Sequence, residues 1–191
     1  MLDLPDLPDL PDLLPTPGQT VGPFFHDALP YERGDELVPP ATPGAVRLHG
    51  VVYDGAGEPV PDALIEIRQA DAHGAVSTVE GSLVRDGRFT GWGRAATDSI
   101  GRYSFVTVEP GGTCFAVVIF ARGLLNRLFT RAYVPGRDLE ADPLLARLAP
   151  EDRETLVAVR EADGSLRFDV HLQGDRETVF LSFPGDGARD E

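Results

Sequence analysis

From Ala45 onward, apolar character comes only in short runs, each cut off by glycine, proline or aspartate, and this constrains the fold more than any other feature of the chain. VRLHGVVYD (Val46–Asp54) and ALIEIRQAD (Ala63–Asp71) flank the turn GAGEPVPD. Five more runs follow: GRYSFVTVEPG (Gly101–Gly111), FAVVIFARG (Phe115–Gly123), RLFTRAYV (Arg127–Val134), SLRFDVHLQ (Ser165–Gln173) and ETVFLSF (Glu177–Phe183). β-Branched and aromatic residues bounded by turn formers read as strands. Helical spacing occurs only in DPLLARLAPEDRETLVAVRE (Asp142–Glu161), which Pro150 is expected to divide into a short helix and a further strand. Seven or so short strands predict an all-β fold, an antiparallel β-sandwich with one short helical segment.

The region before Ala45 has a different texture. Asp3 to Pro15 repeats a DLP unit, with a proline every third or fourth residue that no helix or sheet ladder tolerates. Residues 1–15 are therefore expected to be a disordered acidic tail, with a partner-docking arm as the alternative. Residues 16–44 form an N-terminal arm expected to contact a partner chain, 45–183 the sandwich, and 184–191 a C-terminal tail. Within the arm, GQTVGPFFHD (Gly18–Asp27) fits no regular element, because Pro23 fixes φ and Gly22 before it is loose. It nevertheless carries two large apolar rings, Phe24 and Phe25, which need something to pack against.

With 191 residues and 42% hydrophobic content, the chain can bury one core and is expected to be one domain. Its net charge of −14 argues against nucleic acid or an anionic membrane as partner. Cys114 is the single cysteine, so no intramolecular disulfide forms. No apolar run reaches membrane-spanning length, and the first residues lack the basic and apolar regions of a secretory signal. A cytoplasmic protein is expected.

Few residues advertise chemistry. His26, His49, His73 and His171 are far apart in sequence, whereas a metal site favours ligands closely spaced on one element. Cys114 heads the apolar run FAVVIF and reads as a small hydrophobe rather than a nucleophile. Trp92, between Gly91 and Gly93, reads as a core or subunit-contact aromatic. No phosphate-binding glycine loop, GxSxG elbow or HExxH motif is present.

VRLHGVVYDGAGEPVPDALIEIRQADAHG together with ATDSIGRYSFVTVEPG resembles the intradiol ring-cleavage dioxygenases. These two portions also occur in transthyretin-like and carboxypeptidase-regulatory-like modules, so a binding module without an enzyme partner is the competing reading. PGQTVGPFF, FTGWGRAATDSIGRYSF, FARGLLNRLFTRAYVPG and RFDVHLQGDRETVFLSF extend the resemblance, in order, from Thr16 to Phe183. They match the alpha chain of the family's two-chain members.

The resemblance implies a homologous beta subunit that binds Fe(III) through two tyrosines and two histidines, a higher-order hetero-oligomer, and protocatechuate and O₂ as substrates. Alignment from FARG puts the two histidine positions on Cys114 and Ala116, and the tyrosine positions have no counterpart, so the resemblance assigns this chain no metal. Tyr103 reads as structural. It assigns Thr20, Gly22 and Pro23, with Phe24 beside them, to one wall of the partner's pocket. Arg122 would lie near the carboxylate of the substrate or, alternatively, in a salt bridge at the subunit interface.

Overall fold

A computed structural model describes residues 24–79 and 89–183. The strands are β1 (Ala45–Tyr53), β2 (Leu64–Arg68), β3 (Trp92–Ala96), β4 (Arg102–Val108), β5 (Cys114–Phe120), β6 (Leu128–Tyr133), β7 (Val159–Arg160), β8 (Leu166–Arg167) and β9 (Val170–His171). They build two sheets. One has the order β4-β1-β8-β7, with β9 also paired to β1, and the other the order β3-β2-β5-β6. Alternate residues of each strand point inward, so Leu48, Val52 and Phe105 from the first sheet meet Ile65, Ile67, Phe115 and Ile119 from the second in one buried core. The sandwich is thus as expected. No described helix is long and apolar enough to cross a membrane.

Four hairpin and loop corners use one design. In 54–58, 71–75, 98–102 and 161–165, the first residue's N–H donates to the carbonyl of the fifth at 2.8 to 2.9 Å. The fourth residue is a glycine at φ +72 to +89. This is the three-residue connection whose left-handed position favours glycine. In the first three, the leading Asp54, Asp71 or Asp98 also accepts two backbone N–H groups through Oδ1, at 2.8 to 3.0 Å. In the fourth the leading residue is Glu161, and Asp163 accepts the Ser165 amide instead.

Several elements depart from the sequence reading. β3 was not anticipated as a strand, because Gly91 precedes it and Gly93 lies within it; pairing to β2 along its whole length makes it one. The run at 165–173 is not one strand. It splits into β8 and β9, both parallel to β1, around Phe168 and Asp169. The cause is Gly50, where a Cβ would sit 1.9 Å from the Phe168 carbonyl oxygen. That oxygen accepts the Tyr103 hydroxyl at 2.5 Å, the Phe168 amide donates to His49 at 2.7 Å, and Asp169 accepts the Val51 amide at 3.0 Å. Burial holds the Tyr103 phenol protonated far above its ordinary range, aided by the nearby Asp169 carboxylate. This supports its structural reading.

ETVFLSF does not form a strand; only an isolated bridge links Leu181 to Phe129. The helical region is also rearranged. Leu145–Arg147 make one 3₁₀ turn, and the helix α2 (Pro150–Glu154) follows the proline, which occupies its first turn. The expected short helix and further strand are thus present as α2 and β7, and among the described residues the arm adds a second short helix, α1 (Phe25–Ala28).

Part of the arm lies on its own sandwich. The Arg94 amide donates to the Gly34 carbonyl at 2.7 Å, the Val106 amide to Asp35 at 2.9 Å, and the Leu37 amide to Val106 at 2.8 Å. Leu37, 2% exposed, enters the core over Gly93, where a Cβ would come 2.4 Å from its Cδ1. Trp92 faces outward against Tyr31 of the arm, with ring centroids 6.5 Å apart, and Arg94 covers it at 4.9 Å.

Candidate functional site

Phe24 sits at the N-cap of α1 with extended backbone (φ −68°, ψ 140°), and its carbonyl accepts the Ala28 amide at 2.9 Å. Phe25 enters the helix and packs against Phe120 with ring centroids 5.1 Å apart. Phe24 and Phe25 remain 41% and 51% exposed, so part of each residue faces solvent.

Arg122 comes from the far end of β5, in a turn closed by the Leu124 amide on Ala121 at 3.2 Å, with Gly123 at φ +91°. Its guanidinium carbon lies 5.9 Å from the centre of the Phe24 ring. Its Nε pairs with Asp62 Oδ2 at 2.9 Å. Two residues singled out in the sequence, 98 positions apart, are thus brought together. Asp62 is the partner that the sequence reading missed. Leu64 pairs with Phe120 in the β2–β5 ladder, and continuing that antiparallel register by two residues sets Asp62 opposite Arg122. Phe25, Phe120, Ala121, Leu124, Leu125 and Arg127 line a hollow of about 200 Å³ beside the pair. Thr20, Gly22 and Pro23, like the acidic repeats, lie outside the described residues; Pro23 is the covalent neighbour of Phe24.

Cys114 and Ala116 do not fit an Fe(III) ion, which prefers anionic oxygen or imidazole donors. Burial, the dominant influence, raises the Cys114 thiol pKa and keeps it neutral, and Ala116 offers no donor atom. Next to them, Arg131 donates to the Tyr133 hydroxyl at 3.1 Å, and that hydroxyl donates to Asp142 at 2.9 Å. Burial outweighs the guanidinium and pushes the Tyr133 phenol up to about 12. The cluster supports the loop before α2. Among the described residues, no three His, Cys, Asp or Glu side chains are grouped to hold a metal. His49 bonds Glu161 and Ser165, His171 stacks on Tyr53, His26 stacks on Phe24, and His73 occupies a turn.

A larger cleft of about 760 Å³ runs along β1, β3 and β4, away from Arg122. Three of its arginines already have acidic partners: Arg94 binds Glu66, Arg47 binds Asp163, and Arg167 binds Asp169 and Glu161. Arg122 likewise has an acidic partner, Asp62, and Arg102 also lines the cleft, so ion pairing does not rank the two surfaces; the Phe24–Arg122 surface is distinguished by its aromatic ring beside the cation.

The described geometry is that of a two-sheet sandwich carrying Phe24 beside Arg122, and the chain belongs to the Dioxygenase_C family of dioxygenases, whose profile matches residues 21–117. It is 36% identical to the protocatechuate 3,4-dioxygenase alpha chain of Burkholderia cepacia, over 87% of this chain and 96% of that one. It is 37% identical to the alpha chain of the same name from Pseudomonas putida, over 90% and 98% respectively. Among solved structures it resembles the dioxygenase domain of a carbohydrate-binding fusion protein from Streptomyces sp. SirexAA-E. That similarity has a TM-score of 0.53 and 26% identity, covering 84% of this chain and 99% of that one.

Proposed function

We propose that this chain is the alpha subunit of a two-chain Fe(III) intradiol dioxygenase that converts protocatechuate and O₂ into 3-carboxy-cis,cis-muconate. The ring opens between its two hydroxyl-bearing carbons, and both oxygen atoms of O₂ enter the product. The iron belongs to a homologous beta subunit, where it would supply the activation of the catechol toward O₂; here Cys114 is a neutral thiol and Ala116 has no donor atom, which does not suit Fe(III). This chain binds and orients the ring and excludes water. Thr20, Gly22 and Pro23, with Phe24 beside them, form one wall of the partner's pocket. Arg122 offers its guanidinium to the ring carboxylate through directional, charge-assisted bonds. The subunits assemble into a higher-order hetero-oligomer in the cytoplasm.

One observation carries the reading: the strap's first described residue and the arginine at the end of β5 meet on one exposed surface, at 5.9 Å, with apolar rings beside a cation. That combination suits a flat aromatic acid. The test is coexpression with the homologous iron-bearing chain and oxygen uptake with protocatechuate. The complex should be active, and the isolated chain colourless and inactive. Arg122→Ala should raise KM for protocatechuate about ten- to more than a hundredfold, as loss of a charge-assisted bond of roughly 1.5–3 kcal/mol requires, while sparing catechol. Equal losses on both substrates would move Arg122 to the subunit interface. A stable monomer indifferent to the beta chain would favour the transthyretin-like binding module.

A further inference from the structure

Arg122 is an exposed arginine on a turn, and such a side chain in water samples many rotamers. Here it does not stand alone. Its side chain is 66% exposed, whereas that of Asp62 is only 12% exposed, so the acid is the fixed member of the pair. The backbone around Asp62 is locked on both sides. The Thr97 hydroxyl donates to the Val60 carbonyl at 2.9 Å and accepts the Ala63 amide at 3.0 Å, while the Val60 amide donates to Val52 at 2.9 Å. From this anchored position Asp62 takes Nε of the guanidinium at 2.9 Å, and Phe24 lies 5.9 Å from its carbon. Pairing through Nε leaves the Nη1 and Nη2 end of the fork uncommitted by this contact, and that end can meet a carboxylate with two parallel bonds.

We propose that Asp62 is a positioning residue for carboxylate recognition: it holds Arg122 through Nε so that the two terminal amino groups face the substrate acid. The proposal rests on the function proposed above. Asp62 does not touch the substrate; it acts through Arg122. Two effects of its charge compete. As an anchor it spares the substrate the entropic cost of ordering a long side chain, and as an anion it repels the incoming carboxylate. The guanidinium lies between the two acids and its positive charge offsets their repulsion, so the anchoring prevails.

The experiment uses the alpha–beta complex, with protocatechuate and catechol as substrates and calorimetric titration of 4-hydroxybenzoate and phenol as a readout independent of turnover. Asp62→Ala should raise KM for protocatechuate about three- to fivefold, the most that an exposed ion pair supports, leave kcat and the catechol KM unchanged, and weaken 4-hydroxybenzoate but not phenol. Asp62→Asn, which keeps an acceptor oxygen, should restore most of the loss. In an Arg122→Ala background, Asp62→Ala should add nothing. Arg122→Lys keeps the charge but removes Nε. It also loses the two-pronged end, so its protocatechuate KM should rise by more than that of Asp62→Ala while the catechol KM stays unchanged, a readout that holds even if Asp62→Ala folds poorly. A lower protocatechuate KM in Asp62→Ala, an equal rise for both substrates, or additive losses in the double variant would each overturn the positioning role. If the wild-type complex fails to act on protocatechuate, the functional reading falls and the positioning role falls with it. If the wild type acts and Arg122→Ala is selective while Asp62→Ala is silent, the positioning role alone falls.

Discussion

Leu37 and Gly93 form a lock and its slot, and exchanging material between them tests how the arm is held. Leu37→Ala removes a fully buried side chain and leaves a cavity, which costs about 3 kcal/mol within the usual range of roughly 2–5. Gly93→Ala adds a Cβ that would lie 2.4 Å from Leu37 Cδ1 and 3.2 Å from Phe105 Cδ1. The leucine must move, at a cost of about 1–3 kcal/mol for overpacking. The two changes are complementary, because the methyl at 93 fills part of the space that the leucine vacates. The double variant should therefore be about 1–2 kcal/mol more stable than the sum of the single losses predicts. Urea unfolding of the dilute, purified chain followed by fluorescence provides the assay. Trp92 is the only tryptophan, and it is adjacent to Gly93 and stacked on Tyr31 of the arm, so it reports on this contact directly. Strictly additive losses would show that Leu37 does not occupy the space over Gly93.

Tyr103→Phe should cost about 1–3 kcal/mol in the same assay, because it leaves the buried Phe168 carbonyl without its donor; no measurable loss would mean that water replaces the hydroxyl. The Asp71 carboxyl is held below its ordinary value of 3.8, chiefly by the Ala75 amide, so its contribution to stability is present above that value and is lost as pH falls through the lower folded pKa. The stability difference between wild type and Asp71→Asn should accordingly shrink toward zero as the solution is acidified below about pH 4, measured by urea midpoints across pH. With Gly22 in the pocket wall as proposed, Gly22→Val should impair turnover of protocatechuate and catechol alike while the iron content of the complex, by metal analysis, stays unchanged; iron loss would make the strap a support for the metal site's fold.

Most strands were legible because β-branched and aromatic residues alternate between turn residues with local signatures, and the Asp-x-x-Gly corners are wholly local devices. β3 was missed because Gly93 reads as a breaker; only Leu37, distant in sequence, explains the glycine. The interruption between β8 and β9 was hidden for the same reason, since its cause is the missing Cβ of Gly50 on another strand. ETVFLSF has strand composition but finds only one bridging partner. At the candidate site, Phe24 and Arg122 could be named from the family resemblance. Asp62 could not, because its pairing follows from the β2–β5 register, which no single segment encodes.

The arm's attachment has a consequence beyond positioning. β3 ends one sheet and β4 ends the other, and the bonds from Gly34, Asp35 and Leu37 fall on these two outermost strands. A strand at the margin of a sheet offers unpaired amides and carbonyls to any extended chain it meets, which is how sheet proteins begin to aggregate. A single peptide segment here occupies part of both margins. Shortening the chain past Val38 would thus uncover two adhesive borders at once while emptying the Leu37 site in the core, and solubility and folding would be lost together.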